Sequence, residues 1–380
     1  MNIGLLLPGF SAQSDDWAIP VQQNLARELA TSEDVRVIAL RYPFQRTPYS
    51  LDGARVYPLG AGSTVRGFRR LRLWWDALRL IARLHREQPF DVLHAMWADE
   101  TGLIAVWAGR RLGIPVVVSI LGGELVGLRD IGYGLQRSRF SRWVVGQALR
   151  AERVIVPSST VRRLIDSAGY RVPEEKIVSI TLGVDAERFK PVTPSGDPYR
   201  LIHVASLIPI KDQGTLLRAL ALLDRRIRLD VIGVGTEQAN LEALARALGI
   251  SEQVNFMGAV AHPDLPGYYQ RAAVKVLSSR HETIAMAILE AAACGLPTVS
   301  TAVGIVPDYP ALGVTVPVGD ATALARAIQA LIDDPQRRES LSKSARASAE
   351  SELSIQQTKT RLISLYSSLI RHNRAGVRQP

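Results

Sequence analysis

The sequence has one cysteine, Cys294, so it offers no cysteine pair for an intramolecular disulfide and no cysteine-rich zinc site. The amino-terminal end has no basic region followed by an apolar run, and no uncharged apolar stretch reaches about 18 residues. We therefore expect a cytoplasmic protein that has neither a secretory leader nor a membrane-spanning helix.

Patterns for several kinds of chemistry are also absent. Asp-x-Asp does not occur, and histidines and acids do not cluster at metal-ligand spacing, so we expect no metal requirement and no cofactor. The absence of G-x-x-x-x-G-K-[ST] excludes phosphoryl transfer by a P-loop. The net charge is +10, but no nucleic-acid-binding module is visible, so we expect no nucleic-acid partner.

The 380 residues are long enough for two or three domains with cores of their own. Short β-branched runs alternate with amphipathic stretches, which predicts βα units that build a parallel sheet. The first series of predicted strands covers 2–7, 35–41, 91–95, 115–121, 153–156 and 177–182. The second series covers 200–206, 227–233, 253–258, 274–278, 297–301 and 313–317.

The fold class expected from this pattern is α/β, with two Rossmann-like, doubly wound parallel-sheet domains. We place the first domain at 1–190 and a proline-rich linker at 191–198. A second domain follows at 199–352, and 353–380 forms a helix that packs back on the first domain, with a basic tail. Because open α/β sheets bind ligands at the carboxyl ends of their strands, we expect the site in a cleft between the domains.

The most informative stretch is 273–301, which has the pattern strand, loop, helix, Gly-x-Pro and strand. It holds Glu282 in the predicted loop and Glu290 in the predicted helix. The amides that open this helix would bind a diphosphate, and the carboxylates would accept hydrogen bonds from sugar hydroxyls. A solvated loop glutamate and a surface helix glutamate are the simpler alternatives, but the apolar residues around Glu290 favour a buried carboxylate with partners.

Glu282, Glu290 and the following Gly-Leu-Pro resemble the signature of the retaining glycosyltransferases of the GT-B type, family four, also called glycosyl transferases group 1. Segments at 204–220, 231–260 and 318–335 are similar to family segments in the same order, as are 90–98 and 177–191. The resemblance covers most of the chain. It implies two domains that face each other across a cleft, with the donor bound by the second domain and the acceptor by the first.

The resemblance also implies roles for individual residues. Glu282 and Lys211 would act at the reacting sugar and the diphosphate, and Glu290 would bind the ribose. A strand-end histidine, His94, is a third catalytic candidate, with a packed structural histidine as the alternative. The other donor-side candidates are Ser206, Gly233, Gly235, Arg280, His281, Thr283, Ile284, Ala285 and Met286. For Gly233 and Gly235, a plain turn is the alternative explanation.

Two departures from the family pattern bear on activity. Many members carry Gly-Arg-Leu before the lysine, where this chain has Ser206 in place of the arginine. Members often have a histidine in the acceptor half where this chain has Leu121. The polar candidates that remain at strand ends are Glu124 and His94. The other acceptor-side candidates are Gly122 and, near the first turn, Gly9.

A basic stretch at 65–88 has seven arginines, and Phe68, Leu71 and Trp75 recur in it at helical spacing. Such a helix could lie on an anionic membrane. The alternative is a helix that packs on its own sheet and exposes a solvated basic face.

We therefore expect a retaining glycosyltransferase that moves a sugar from a nucleotide sugar to a saccharide or lipid-linked acceptor in polysaccharide or glycolipid synthesis. The alternatives are a degenerate relative that only binds nucleotide sugar or a membrane, and a nucleotide-sugar epimerase on the same fold.

Overall fold

The computed structural model describes residues 1–13, 16, 20–62, 65–191 and 197–376, which divide into two compact units. The first unit comprises Met1–Leu182 and the residues from Thr358 on, and the second comprises Gly183–Gln357. Each unit has a sheet with helices, and the strand pairs are parallel apart from one edge hairpin in the first unit, so the predicted α/β class with two doubly wound domains is confirmed.

The first unit alternates strands and helices along most of its length. Its elements are β1 (Asn2–Gly9), α1 (Pro20–Ala30), β2 (Asp34–Tyr42), β3 (Tyr49–Leu51), β4 (Ala54–Pro58), α2 (Phe68–Glu87), β5 (Val92–Ala95), α3 (Glu100–Leu112), β6 (Val116–Ser119), α4 (Arg139–Ala148), β7 (Arg153–Val156), α5 (Ser159–Ser167) and β8 (Ile177–Ser179). Within the described residues they form one sheet with the order β3-β4-β2-β1-β5-β6-β7-β8. The β3–β4 pair is antiparallel and the other neighbours are parallel.

The strand pattern missed the hairpin of β3 and β4. Its turn is Asp52-Gly53, and both residues have positive φ angles, 50° and 84°. An Asp-Gly pair between short strands is a known signal for this kind of turn, so the hairpin was readable from the sequence.

The second unit has the same alternation in a smaller sheet. Its elements are β9 (Arg200–Val204), α6 (Gln213–Leu220), β10 (Arg228–Ile232), α7 (Gln238–Ala247), β11 (Val254–Gly258), α8 (Leu265–Tyr269), β12 (Val274–Leu277), α9 (Met286–Ala293), β13 (Thr298–Thr301), β14 (Gly313–Val316), α10 (Ala321–Asp333) and α11 (Pro335–Ser351), and α12 (Ile355–Gly376) leads back into the first unit. The strand order is β11-β10-β9-β12-β13-β14, and every neighbouring pair is parallel. At the centre of this sheet β12 pairs with β9. Because the two strands are parallel, their carboxyl ends lie at the same edge.

The change between units lies earlier than the predicted linker at 191–198, of which 192–196 are outside the described residues. The segment before it belongs to the second unit because its backbone and side chains pack there. The Val184 amide donates to the Leu353 carbonyl at 2.9 Å, and the Ile355 amide donates to the Val184 carbonyl at 2.9 Å. The ring of Phe189 is 1% exposed and packs against Tyr269.

The return to the first unit falls at Thr358, five residues after the predicted start of the carboxyl-terminal segment. The Thr358 hydroxyl donates to the Thr181 carbonyl at 3.0 Å, and Tyr366 of α12 is fully buried in the first unit. The first unit is therefore built from two separate pieces of the chain.

Candidate functional site

Most predicted donor-side residues follow three neighbouring strands of the second unit. Ser206 and Lys211 follow β9, Gly233 and Gly235 follow β10, and the segment from Arg280 to Met286 follows β12. These strands are adjacent in the order β10-β9-β12. Because they are parallel, their loops meet at one edge of the sheet, which is where open α/β sheets bind ligands.

Lys211 and Glu282 form an ion pair at this edge. The Lys211 ammonium nitrogen lies 2.5 Å from Oε1 of Glu282, and the side chains are 22% and 11% exposed. The Ser279 hydroxyl donates to the same carboxylate oxygen at 2.7 Å. Two of the predicted catalytic residues, 71 positions apart in the chain, thus come together with a serine that the sequence analysis did not single out.

Further hydrogen bonds hold the loop after β12 against the loop after β9. The Ser278 hydroxyl donates to the Lys211 carbonyl at 3.0 Å, and the Arg280 amide donates to the Ile210 carbonyl at 2.8 Å. The Thr301 hydroxyl donates to the Ser279 carbonyl at 2.6 Å. The loop after β12 is therefore hydrogen-bonded both to the loop after β9 and to β13, and these contacts hold Glu282 in position beside Lys211.

The helix α9 begins directly after this loop. Its N-cap, Ala285, has φ 68° and makes no side-chain capping bond. His281, Thr283 and Ile284 just before it are largely buried, and each is less than 10% exposed. The first-turn amides and the positive end of the helix dipole lie at the same sheet edge as Lys211, and together they can bind an anion such as a diphosphate.

Gly233 and Gly235 are required by close approach of the backbone. Gly233 has φ 138°, and a Cβ added there would collide with the Ala205 carbonyl. A Cβ at Gly235 would collide with the Leu207 carbonyl. These glycines therefore let the loop after β10 pass along the loop after β9. Their role as donor-side residues stays a prediction. Ser206 is exposed between these two contacts.

Glu290 is buried in α9, 6% exposed, and both of its carboxylate oxygens have partners. His262 Nε2 lies 2.9 Å from Oε1, and the Tyr269 hydroxyl donates to Oε2 at 2.9 Å. Burial and the neighbouring carboxylate raise the pKa of Tyr269 well above its usual value. The buried carboxylate expected at this position is thus present, oriented by two residues from the segment around α8.

Lys275 is a charged residue that the sequence analysis missed. It lies in the middle of β12, is fully buried, and donates to the Val276 carbonyl at 3.3 Å. Burial lowers its pKa to about 7, while the charge of Glu290 acts in the opposite direction. The sequence places Lys275 inside a predicted buried strand, 274–278, but it gives no indication that Glu290 lies close enough to act on its charge.

His94, predicted as a catalytic candidate, occupies a structural position in the first unit. It is 1% exposed, its Nδ1 lies 2.6 Å from the Tyr366 hydroxyl, and its Nε2 lies 2.8 Å from the Ser119 hydroxyl. Burial lowers its pKa to about 3, so the ring is neutral. Both ring nitrogens are engaged by the protein, which favours the packed histidine given as the alternative, and the catalytic role of His94 stays a prediction.

Glu124 organises two loops of the first unit. Its carboxylate accepts hydrogen bonds from the amides of Leu121 at 3.0 Å, Gly122 at 2.6 Å and Ala98 at 3.3 Å. Burial raises its pKa to about 7. Gly9, the third acceptor-side candidate, is the last residue of β1 and pairs with Tyr42 in the sheet.

Beside Glu124 lies a cavity of about 280 Å³. The side chains of Trp97, Asp99, Tyr133 and Arg137 also line it. Burial raises the pKa of Asp99. Two aromatic side chains, two carboxyl groups and a guanidinium are groups that can stack on and hydrogen-bond to a sugar or another polyol.

Among the residues described by the structure, no group of three or more His, Cys, Asp or Glu side chains could hold a metal ion. No helix of the described chain is both long and apolar enough to cross a bilayer.

Two models of known protein families match this chain. A family model described as glycosyl transferases group 1 matches residues 184–348, and one described as a glycosyl transferase 4-like domain matches 19–183. The chain belongs to the group 1 glycosyl transferases. The resemblance seen at Glu282 and Glu290 is thereby confirmed.

A curated relative of this group 1 glycosyl transferase is D-inositol 3-phosphate glycosyltransferase 1 of Catenulispora acidiphila, which is 31% identical over 277 residues. The match covers 65% of this chain and 65% of the relative, so the chain spans less than two thirds of that protein's length.

Solved structures show the fold of this group 1 glycosyl transferase. Sucrose-phosphate synthase from Thermosynechococcus elongatus matches with a TM-score of 0.80 and 21% identity, over 98% of this chain and all of the other. Anabaena HepE in complex with UDP-glucose matches with a TM-score of 0.74 and 19% identity, over 96% of this chain and 99% of the other. Both similarities extend over both units, which supports the GT-B fold expected from the sequence.

Proposed function

We propose that the protein transfers a sugar from a nucleoside-diphosphate sugar to an acceptor hydroxyl, with retention of configuration at the anomeric carbon. The observation that carries the proposal is the Lys211–Glu282 pair at the carboxyl edge of the second sheet, next to the first turn of α9. It combines a cation, a carboxylate and helix amides, which are the groups needed for a diphosphate and a sugar.

Lys211 and the α9 amides bind the diphosphate in this proposal, and Glu290 accepts hydrogen bonds from the ribose. The Lys211 charge stabilises the negative charge that develops on the leaving diphosphate, so no metal ion is required. Ser206 stands where many relatives carry an arginine, so Lys211 has a larger share of this task. The UDP-glucose in the Anabaena structure supports a nucleotide sugar as the class of donor.

During transfer, the bond between the anomeric carbon and the diphosphate oxygen breaks, and the acceptor oxygen bonds to the same face of that carbon. The acceptor proton passes to an oxygen of the leaving diphosphate. This route needs no histidine in the acceptor half, which is consistent with Leu121 at that position and with the structural role of His94. Glu282 accepts hydrogen bonds from the donor sugar and maintains its orientation.

The acceptor in this proposal is a saccharide or a lipid-linked polyol bound by the first unit, at the cavity beside Glu124. The reaction belongs to the synthesis of a cell-surface polysaccharide or glycolipid. We place the protein in the cytoplasm, in peripheral contact with the membrane through the basic stretch 65–88.

A second function is favoured by one specific observation. Ser206 stands where many relatives carry an arginine, and Leu121 stands where they often carry a histidine. A relative without them could bind a nucleotide sugar and not turn it over. The two functions differ in one measurement, the release of nucleoside diphosphate by purified protein given a panel of nucleotide sugars and acceptors. Release that depends on acceptor supports transfer, whereas tight donor binding without release on any acceptor selects the binding protein. Isomerised donor in the absence of acceptor would instead identify an epimerase.

A further inference from the structure

The helix α2 has two apolar stripes, and only one of them is packed. Leu73, Trp74, Ala77, Ile81 and Leu84 are buried against the first sheet. A different stripe lies on the outside, where Phe68 is 80%, Leu71 58% and Trp75 55% exposed. The helix therefore packs on its own sheet, as one of the two alternatives from the sequence has it, and also presents apolar side chains to solvent.

Two further exposed aromatic side chains lie on the neighbouring helix α4. Phe140 and Trp143 of that helix are 43% and 46% exposed, and their rings lie 6.0 Å apart. The Phe140 ring also stacks on Trp74 of α2 at 6.2 Å, which joins the two helices. We call Phe68, Leu71, Trp75, Phe140 and Trp143 the aromatic platform. Exposed apolar side chains gathered on one face mark an interaction site more often than scattered ones do.

Arginines surround the aromatic platform. The helix α2 contains six arginines and two acidic residues. The Arg79 guanidinium lies over the Trp75 ring at 4.8 Å. The Arg70 guanidinium lies over Phe140 at 4.9 Å and pairs with Glu100 at 2.9 Å, so the unpaired positive charge comes from the other arginines. The partner of this surface should therefore carry negative charge and offer an apolar layer.

A cavity of about 570 Å³ lies on the other flank of α2. Four arginines line it, Arg46, Arg69, Arg72 and Arg83, together with one acid, Asp76, and an apolar wall that includes Tyr57. Asp76 pairs with Arg72 at 3.8 Å across one helical turn, so the lining keeps a positive excess. Guanidinium groups bind phosphate oxygens in a bidentate way, so the cavity fits a phosphate-bearing headgroup.

We propose that the aromatic platform and this arginine-lined cavity together bind an anionic phospholipid bilayer. Trp75, Trp143 and Phe68 enter the headgroup layer, where amphipathic rings are most stable, and the cavity holds one lipid phosphate. The inference rests on the membrane contact of the proposed function and specifies its surface and its lipid chemistry. A peptide or nucleic acid could satisfy the charge, but a bilayer satisfies the charge and the exposed rings at once.

The test is co-sedimentation of the full-length protein with vesicles of phosphatidylcholine alone and of phosphatidylcholine mixed with phosphatidylglycerol. We expect binding only to the mixed vesicles, weakened by salt. Trp75→Ser with Trp143→Ser, and separately Arg69→Gln with Arg72→Gln, should each weaken binding by at least about tenfold. The matched controls are Leu222→Ser, an exposed leucine of the second unit, and Arg110→Gln with Arg111→Gln on α3; both should bind as the parent does.

Thermal unfolding and nucleoside-diphosphate binding are measured on every variant, so a misfolded variant is recognised. Equal binding to both vesicle types, or loss in the control variants, would overturn the proposal. So would self-association or duplex DNA binding that depends on Trp75 and Trp143 without vesicle binding. Inorganic phosphate in excess should weaken binding of the parent more than that of Arg69→Gln with Arg72→Gln; an equal effect would overturn the assignment of the cavity.

The outcomes separate this inference from the proposed transfer reaction. Acceptor-dependent release of nucleoside diphosphate without vesicle binding would reject the membrane surface and leave the transferase proposal intact. Vesicle binding without any release of nucleoside diphosphate would support the membrane surface and reject the transferase proposal.

Discussion

Lys211 and Glu282 neutralise each other across 2.5 Å in the second unit, in a loop edge where the proposed donor must place its diphosphate. A bound diphosphate would therefore compete with Glu282 for the lysine. The ion pair keeps Lys211 in position before the donor binds. Breaking it reduces the free energy that Lys211 gains when it binds the diphosphate.

Replacement of either partner should separate these two roles. Lys211→Ala should lower kcat/KM for the donor by about 10²- to 10³-fold, because it removes the cation that stabilises the leaving diphosphate. Glu282→Gln should lower kcat while free nucleoside diphosphate binds more tightly, since the lysine loses its competitor. Steady-state kinetics and calorimetric titration measure the two effects. Lys343→Ala, an exposed lysine of the same unit, is the control. Unchanged turnover in both site variants would reject the proposed reaction.

Tyr269→Phe tests whether the orientation of Glu290 matters for the nucleotide. The substitution removes one of the two donors to this buried carboxylate and should cost about 1 kcal/mol in the free energy of unfolding. Nucleoside-diphosphate affinity should fall several-fold as well, because Glu290 is less firmly held. Tyr268→Phe, one residue earlier and only partly buried, should change neither quantity. A loss of stability with full nucleotide affinity would show that the clamp on Glu290 serves only the fold.

The pH dependence of unfolding should report the buried ring of His94. Its pKa is lowered to about 3, below its usual value of about 6.5, so between these values the unfolded chain binds a proton that the folded chain does not. The neutral His94 ring makes its full contribution to the free energy of unfolding above about pH 6.5. Below that pH the contribution decreases, by up to about 1.4 kcal/mol per pH unit.

His94→Gln should therefore flatten the fall of the unfolding free energy between pH 6.5 and 4, as measured by urea titrations at several pH values. The difference from the parent is the quantity to compare, because Glu124, with its pKa raised to about 7, gains stability as the pH falls and partly masks the slope. Tyr366→Phe is the control, since it removes a hydrogen bond of His94 and keeps the ring. Identical slopes in the parent and in His94→Gln would contradict the assignment.

Ala285 should be a point of backbone strain at the start of α9. Its φ of 68° is favourable for glycine and costs an L side chain about 1 kcal/mol or more. Ala285→Gly should therefore raise the free energy of unfolding by up to about 1 kcal/mol, and Ala285→Val should lower it by about 1–2 kcal/mol. Ala287→Gly, inside the same helix, should lower it by about 1 kcal/mol instead. If glycine destabilised both positions equally, the left-handed conformation of Ala285 would be disproved.

The sequence predicted those features that depend on local pattern. All twelve predicted strands are present, because β-branched runs between helical stretches encode buried parallel strands without reference to distant residues. Lys211 and Glu282 were predicted at strand ends, and parallel pairing of β9 with β12 brings strand ends together.

The features that the sequence did not reveal depend on contacts between distant segments. His94 is bonded to Tyr366, 272 positions away, and nothing near His94 in the chain indicates that partner. Glu290 meets His262 and Tyr269 only because the segment around α8 packs on α9. In α2, both stripes have apolar residues at helical spacing, so the period alone could not say which of them would be buried.

The return of α12 to the first unit has a consequence for biosynthesis. Residues 183–357 leave the ribosome before the helix that covers His94, so the later half of the chain can reach its native packing while the earlier half still lacks its last piece. A nascent chain that stalls before Tyr366 would therefore carry a finished second unit attached to an incomplete first unit, whose exposed apolar surface favours aggregation.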